Sequence, residues 1–392
     1  MNDDFADLVA LRRDIHAHPE MAFAEVRTAK AVAAGLEACG IEVHRGIGGT
    51  GVVGVLRAGS STRAIGLRAD MDALPISESN QFPHASLHPG CMHACGHDGH
   101  VAMLLAGART LATTRRFDGT VYFIFQPGEE SGHGAQAMIE DGLFERFPME
   151  AVYASHNWPG LPVGAFAVSS GPAMAACNEI TIEIRGKGGH AALPDQVSDP
   201  VLAASAIVQA LQSIVSRNLP PAEAAAVSIT RLAAGDSLHV TPETATIAGT
   251  VRTYSSAVTD AIEKHIARIA TGVAEGYGCT ASCDFVRNCA ATINHPGPAE
   301  IVAAALTSHF GPENVKPMFP AMTAEDFAFM LEQKPGCYFW IGNGDGESRA
   351  AGHGLGPCSL HNPSYDFDDR LIPIGAAAWT ALAEWALAPQ GR

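Results

Sequence analysis

Residues 177–286 run strand, helix, strand, strand, helix, strand, and segments in which strands alternate with helices stand on both sides of them. Residues 180–184 alternate apolar and polar side chains with period two, 201–215 carry helical spacing, and 226–232 and 244–252 are strand-like. Residues 261–276 are helical again and 280–286 alternate once more. That order is the ferredoxin-like β-α-β-β-α-β pattern of a small α+β domain. Upstream, helical spacing over 4–39 is interrupted at Pro19. Strands at 51–56 and 64–67, a helix at 101–111 and buried strands at 121–125 and 151–154 follow, the last two separated by another helix. After Pro296 the same character returns, with helices at 299–309 and 324–334, a strand at 337–341 and a closing helix from Ile374. The expectation is a three-layer α/β/α domain built from residues 1–176 and 292–392, interrupted by a ferredoxin-like insertion at 177–291. A length of 392 residues suits that division, since one core serves roughly 150 residues.

Composition excludes several classes of function. The chain has 41 acidic against 25 basic residues and no basic stripe interleaved with aromatics, so it repels phosphate backbones and is expected to bind no nucleic acid. No apolar run approaches the roughly 18 residues that span a bilayer, so no membrane partner is expected. The acidic start at Met1 to Asp7 lacks the charged and apolar regions of a secretory signal. Nine cysteines, an odd number with no C-x-x-C pair, fit reduced thiols and a cytoplasmic location.

Chemistry is concentrated at residues 91–100, Cys-Met-His-Ala-Cys-Gly-His-Asp-Gly-His, where two thiols, three imidazoles and a carboxylate crowd together. Thiolate and imidazole lone pairs bind zinc and similar borderline metals. Spacing alone leaves the ligands open: His93, Cys95 and His97 share a face if the segment is extended, His97 and His100 if it is helical. Gln126-Pro127-Gly128-Glu129-Glu130 follows the apolar strand at 121–125, so two carboxylates emerge at a sheet's carboxyl end, where open α/β sheets place their sites. One can bind metal while the other serves as general base. His156 follows a second short strand, and His361 sits in a Gly- and Pro-rich stretch near the end. A Cys, a Glu and three His at strand ends exceed one tetrahedral structural zinc and suit two ions sharing a bridge.

These motifs resemble the dinuclear metal amidohydrolases that include hippurate hydrolase, N-acyl-amino-acid amidohydrolases and auxin-conjugate hydrolases, within the aminoacylase and carboxypeptidase superfamily. The matching runs are 11–20, Leu67-Arg68-Ala69-Asp70-Met71-Asp72-Ala73-Leu74-Pro75, 92–100, 126–130, 186–191, 249–252, 325–327 and His361-Asn362, in the same order over nearly the whole chain. The resemblance implies a metallopeptidase-like catalytic domain with the insertion as lid and dimerisation domain. It implies two divalent ions, zinc or manganese first and cobalt or nickel as alternatives, held by Cys95, His97, Glu130, His156 and His361, with Glu129 as general base. His93 and His100 are left in supporting roles. Asp70 and Asp72 stand where much of the superfamily has His-x-Asp, and Asp70 is not counted as a ligand.

The same resemblance gives His190 a role at the scissile carbonyl, often from the partner subunit of a homodimer or higher homo-oligomer, and Arg252 the substrate carboxylate. Relatives often carry Asn where this chain has His239, which puts a substrate contact there in altered form. The activity implied is hydrolysis of an N-acyl amino acid or similar small amide to a carboxylate and an amine. A dipeptidase or aminopeptidase of the same superfamily, and a catalytically silent metal-binding homologue, are the alternatives.

Overall fold

The computed structural model describes residues 5–344 and 351–389. Asp4, where the first helix is expected to begin, lies outside them. The chain forms two compact units. Among the described residues, the first takes those up to Ala173, Ile293–Phe319 and those from Asp326 onward; the second takes Met174–Thr292 and Pro320–Glu325.

The first unit is built on an eight-stranded sheet. Its leading strands are β1 Glu42–Ile47, β2 Gly51–Ala58, β3 Ala64–Asp70, β4 Gly119–Gln126 and β5 Ala151–Trp158. Across the sheet the order is β1, β2, β4, β3, β5, then Gly336–Gly342, Phe166–Ala167 and Val315–Lys316. β4, β3, β5 and Gly336–Gly342 are mutually parallel, so their carboxyl ends share one edge. Every residue of β3 is buried, as expected of a strand covered on both faces. Ile65, Leu67, Ala69, Val121, Phe123 and Tyr153 point into one large core, while Ile124, Val152 and Tyr338 are buried on the other face.

Helices cover both faces because each presents an apolar stripe. α1 Ala6–Ala17 buries Leu8, Arg12, Ile15 and His16, and α2 Val26–Ala38 buries Thr28, Val32, Ala33 and Leu36, both at helical spacing. α3 His97–Thr114 is buried along most of its length, wedged between the sheet, α1, α2 and the closing helix Leu371–Ala386. From β4 the chain passes through Gly134–Glu140 on the opposite face before entering β5 beyond β3. The winding direction therefore reverses beside β3, and the carboxyl edge there is where open α/β sheets place their sites.

The second unit pairs four antiparallel strands, Ala176–Arg185, Ala225–Ala234, Thr244–Thr253 and Thr280–Cys289. Numbered one to four along the chain, they lie in the order 4-1-3-2, the ferredoxin-like arrangement. Pro200–Leu211 and Ser256–Gly276 pack against the sheet over a core of Ile180, Ile182, Ile184, Ile247 and Val251. Asp199 caps the first helix by accepting from the amides of Val201 and Leu202; Ser255 caps the second from Val258. The fold is thus the α/β/α layer with an inserted ferredoxin-like domain that the element order implies.

Two elements differ from their sequence patterns. The helix expected at 324–334 is confined to Ala328–Gln333. The Asp326 carboxylate accepts instead from Gln126 and from the amide of Ala135, and its own N–H donates to Glu129. The helix expected at 201–215 ends at Leu211 and is followed by a wide turn over Ile214–Asn218.

Candidate metal centre

Four pieces of backbone converge at the shared carboxyl edge: the turn after β3, the loop entering α3, the turn after β4 and the end of β5. Cys95 and His97 flank Gly96, which has φ of 93°. A side chain there would put Cβ 2.4 Å from Asn157 Oδ1 and from the Tyr365 hydroxyl, so only glycine lets the loop pass. Gly128, with φ of 63°, turns the chain out of β4 so that Glu129 and Glu130 enter a short 3-10 turn. His361 is itself left-handed, with φ of 61°, and its N–H donates to the Ala94 carbonyl at 2.8 Å. That bond ties the distant 361 loop to the Cys95 loop and holds a conformation that costs about 1 kcal/mol or more.

The side chains then form two adjoining groups. Cys95 Sγ lies 3.3 Å from His156 Nε2, and Glu130 Oε1 lies 3.3 Å from His361 Nε2. Between them His97 Nε2 faces Asp70 at 3.7 Å, Glu130 at 3.9 Å and Glu129 at 4.0 Å. Cys95, His97 and His156 form one three-donor cluster and Cys95, Glu130 and His361 another, so Cys95 belongs to both.

Backbone groups fix which ring nitrogen faces inward. His97 Nδ1–H donates to the Asp72 carbonyl at 2.9 Å, and His156 Nδ1–H donates to the Asn157 carbonyl at 2.7 Å. With Nδ1–H so engaged, each ring turns Nε2 toward the cluster, and at His97 that nitrogen presents a lone pair once a cation displaces its proton, the arrangement by which metal-binding histidines are oriented. His97 Nε2 is fully buried and has no hydrogen-bond partner among the described residues. A buried orphan of that kind costs about 1–3 kcal/mol unless something satisfies it.

The electrostatics point the same way. Burial, reinforced by Glu130, Glu129 and Asp70, holds the Cys95 thiol well above its ordinary value. Burial, reinforced by His100, pushes His156 well below its own. At His97 burial acts downward, but Asp70 and Asp72 overcome it and raise the ring to about 10. A proton on His97 thus balances a nest of carboxylates, and a cation can take its place while drawing the proton off Cys95. The donor set of one thiolate, three imidazoles and a carboxylate fits two borderline divalent ions.

Of the residues nominated by sequence, Cys95, His97, Glu129, Glu130, His156 and His361 come together in the first unit. His190, His239 and Arg252 belong to the second. There Gly189–His190 pairs with Val240–Thr241, the amide of Ala191 donates to the His239 carbonyl, and both imidazoles are exposed. His190 Nδ1 accepts from the Ala192 amide at 3.1 Å, which leaves Nε2–H as a donor. The Arg252 guanidinium donates to Thr250 Oγ1 and the Val251 carbonyl.

Asp72 is a residue to which sequence reasoning gave no role. Its carboxylate lies 3.3 Å from His97 Nδ1 and accepts the Glu130 N–H at 2.9 Å, so it braces two ligand candidates at once. The signal was present in the pair Asp70-x-Asp72 directly after a buried strand. Asp70 is engaged by His100 Nδ1 at 2.6 Å and Arg68 at 2.7 Å. His100 is held through its other nitrogen by Asn157. His93 is wholly buried, and burial lowers it to about 3, so it stays neutral.

The profile of peptidase family M20/M25/M40 matches residues 66–385. Hippurate hydrolase of Campylobacter jejuni is 39% identical over 95% of this chain and 94% of its own. N-acetylcysteine deacetylase of Bacillus subtilis is 37% identical over 96% of both chains. A solved Bacillus subtilis structure, described as a dinuclear metal-binding peptidase of the M20 family, superposes with a TM-score of 0.85 at 33% identity and covers 98% of each chain. The chain belongs to peptidase family M20/M25/M40 and is a hydrolase of amide bonds.

Proposed function

We propose that this enzyme hydrolyses the amide of N-acyl amino acids and related small, linear, hippurate-like amides, releasing a carboxylate and a free amine. The observation that carries the reading is the orphaned His97 Nε2, set between the Cys95–His156 and Glu130–His361 pairs with a second carboxylate, Glu129, beside it. Cys95, His97, Glu130, His156 and His361 hold two divalent ions, zinc or manganese first and cobalt or nickel as alternatives. Bound there, the ions would supply Lewis acidity to the substrate carbonyl and to the attacking water.

Glu129 takes the proton from the attacking water and passes it to the leaving nitrogen. Its side chain is about 11% exposed, and one oxygen accepts the Asp326 N–H at 3.4 Å, so the carboxylate is held yet reachable. His190 Nε2–H donates to the carbonyl oxygen as it gains charge. Arg252 pairs with the substrate carboxylate, and His239 contacts substrate where relatives use an amide side chain.

Arg252 stands opposite Cys177, whereas Thr244 stands opposite Arg185 next to the His190 ribbon. Eight residue steps at about 3.3 Å place them roughly 27 Å apart along one strand. No small amide spans that length, which supports a homodimer in which His190 of a second copy completes each site. We further assign the second unit, residues 177–291 by sequence, to lid closure and dimerisation. No helix among the described residues is long and apolar enough to cross a membrane, and a reducing cytoplasm suits nine thiols.

The test is a panel of hippurate, N-acetyl amino acids and dipeptides, assayed on apo protein reconstituted with each metal. Turnover of the acylated substrates above the dipeptides supports the reading. Preference for dipeptides with a free amine would favour the peptidase alternative.

A further inference from the structure

The sheet of the second unit sets three reactive side chains in one row. Cys289, the last residue of the edge strand Thr280–Cys289, stands directly opposite Cys177 on Ala176–Arg185. Arg252, on the third strand, stands opposite Cys177 from the other side. Directly opposed residues of an antiparallel pair have Cα atoms about 4.5–5.5 Å apart and project their side chains from the same face. That separation falls inside the roughly 4.4–6.8 Å span of a disulfide.

The surroundings suit a bond that forms and breaks. Both cysteines are thiols in the structure. Cys177 is half-buried and reachable from solvent. Cys289 is buried, and its S–H lies 3.3 Å from the carbonyls of Ala290 and Glu325. The pairing register shifts between Arg287 and Cys289, so the edge strand bends just where the two thiols face each other. A bend at an edge gives the backbone room to bring the two sulfurs into bonding distance.

We propose that Cys177 and Cys289 are a thiol–disulfide modification site, oxidised by a peroxide and restored by a small thiol. The Cys177 thiolate attacks the peroxide and becomes a sulfenic acid, releasing one water. The Cys289 sulfur then attacks it, the S–S bond forms and a second water leaves. Two thiols lose two electrons and two protons, and hydrogen peroxide is reduced to two waters. Reduction runs through a mixed disulfide. The bond draws the Cys177 side chain toward the edge strand and away from the flank of Arg252. The consequence for catalysis rests on reading Arg252 as the carboxylate clamp.

The experiment uses the full-length, metal-loaded enzyme and one equivalent of hydrogen peroxide, followed by thiol counting and mass spectrometry of the digested protein. The expected result is loss of two of the nine thiols, a crosslink between the segments carrying Cys177 and Cys289, and full recovery with dithiothreitol. Cys177→Ser and Cys289→Ser each abolish the crosslink. Alkylatable Cys177 and Cys289 after treatment, or a crosslink through other cysteines, overturns the site. In the oxidised enzyme KM for a carboxylated amide rises about threefold or more, the scale of one hydrogen bond, with kcat and the neutral-amide KM unchanged. An unchanged KM in crosslinked protein overturns the link to substrate binding. Arg252→Ala, measured on the same substrate pair without peroxide, separates that failure from failure of the clamp itself.

Discussion

Replacing Asp72 probes the bracing of the metal centre without touching a ligand. The side chain is 1% exposed, and its two oxygens serve different ligand candidates: Oδ1 lies 3.3 Å from His97 Nδ1, and Oδ2 accepts the Glu130 N–H at 2.9 Å. Asp72→Ala removes both contacts, but the Asp72 carbonyl still accepts from His97 at 2.9 Å, so the ring keeps its tautomer. The larger loss falls on Glu130, whose amide is left without its acceptor. Outer contacts of this kind are worth about 10–100-fold in metal affinity, or roughly 1.4–2.8 kcal/mol. With the His97 tautomer kept, Asp72→Ala is expected near the middle of that range. Asp72→Asn retains an oxygen that can accept from Glu130 and is expected at or below tenfold. The assay is competition of each variant against a chelator of known affinity, with circular dichroism confirming the fold. Affinity of Asp72→Ala within about twofold of wild type would refute the claim that Asp72 organises the centre.

Four further outcomes follow from the same geometry. Glu129→Gln should retain its metals by elemental analysis and lose about 10²–10⁴ in kcat, the range typical of a removed general base; near-normal turnover would remove Glu129 from that role. Arg252→Ala should raise KM for carboxylated amides more than for neutral ones, and equal effects would argue against the clamp. In Gly99→Ala the new Cβ would sit 2.3 Å from the Phe367 ring. The variant should lose about 1–3 kcal/mol by urea unfolding although alanine favours helix. At His16 burial acts downward, but Asp98 and Glu78 outweigh it and raise the ring to about 9. Because the folded value lies above the unfolded one, this contribution is complete below pH 6.5 and is lost as pH rises toward 9. It amounts to about 3 kcal/mol at most. Unfolding curves from pH 6 to 10 should therefore flatten in His16→Gln; an unaltered pH dependence would count against a charged His16.

Strongly periodic segments announced themselves. The buried runs of β3, β4 and β5 and the alternation of Ile180, Ile182 and Ile184 mark strands whatever surrounds them. The edge strand Glu42–Ile47 did not, because its exposed, mixed residues carry little pattern. Helical spacing at 324–334 misled, since the Asp326 carboxylate and N–H are engaged by Gln126, Ala135 and Glu129, and the helix starts only beyond them. At the site, residue types and strand-end positions pointed to the loops that converge there. They could not show that His97 Nε2 is an orphan or that Asp72 grips two ligand candidates, because those facts depend on contacts between loops far apart in sequence. The Cys177–Cys289 pairing was likewise invisible, as register across two strands separated by a hundred residues is set by packing and not by spacing.

The most direct test of the account is to titrate metal into apo enzyme while measuring hydrolysis of an N-acyl amino acid. The expected result is negligible turnover without metal, saturation near two equivalents per chain, and the same two equivalents without turnover in Glu129→Gln. Undiminished hydrolysis by the metal-free enzyme, or full activity in Glu129→Gln, would contradict it.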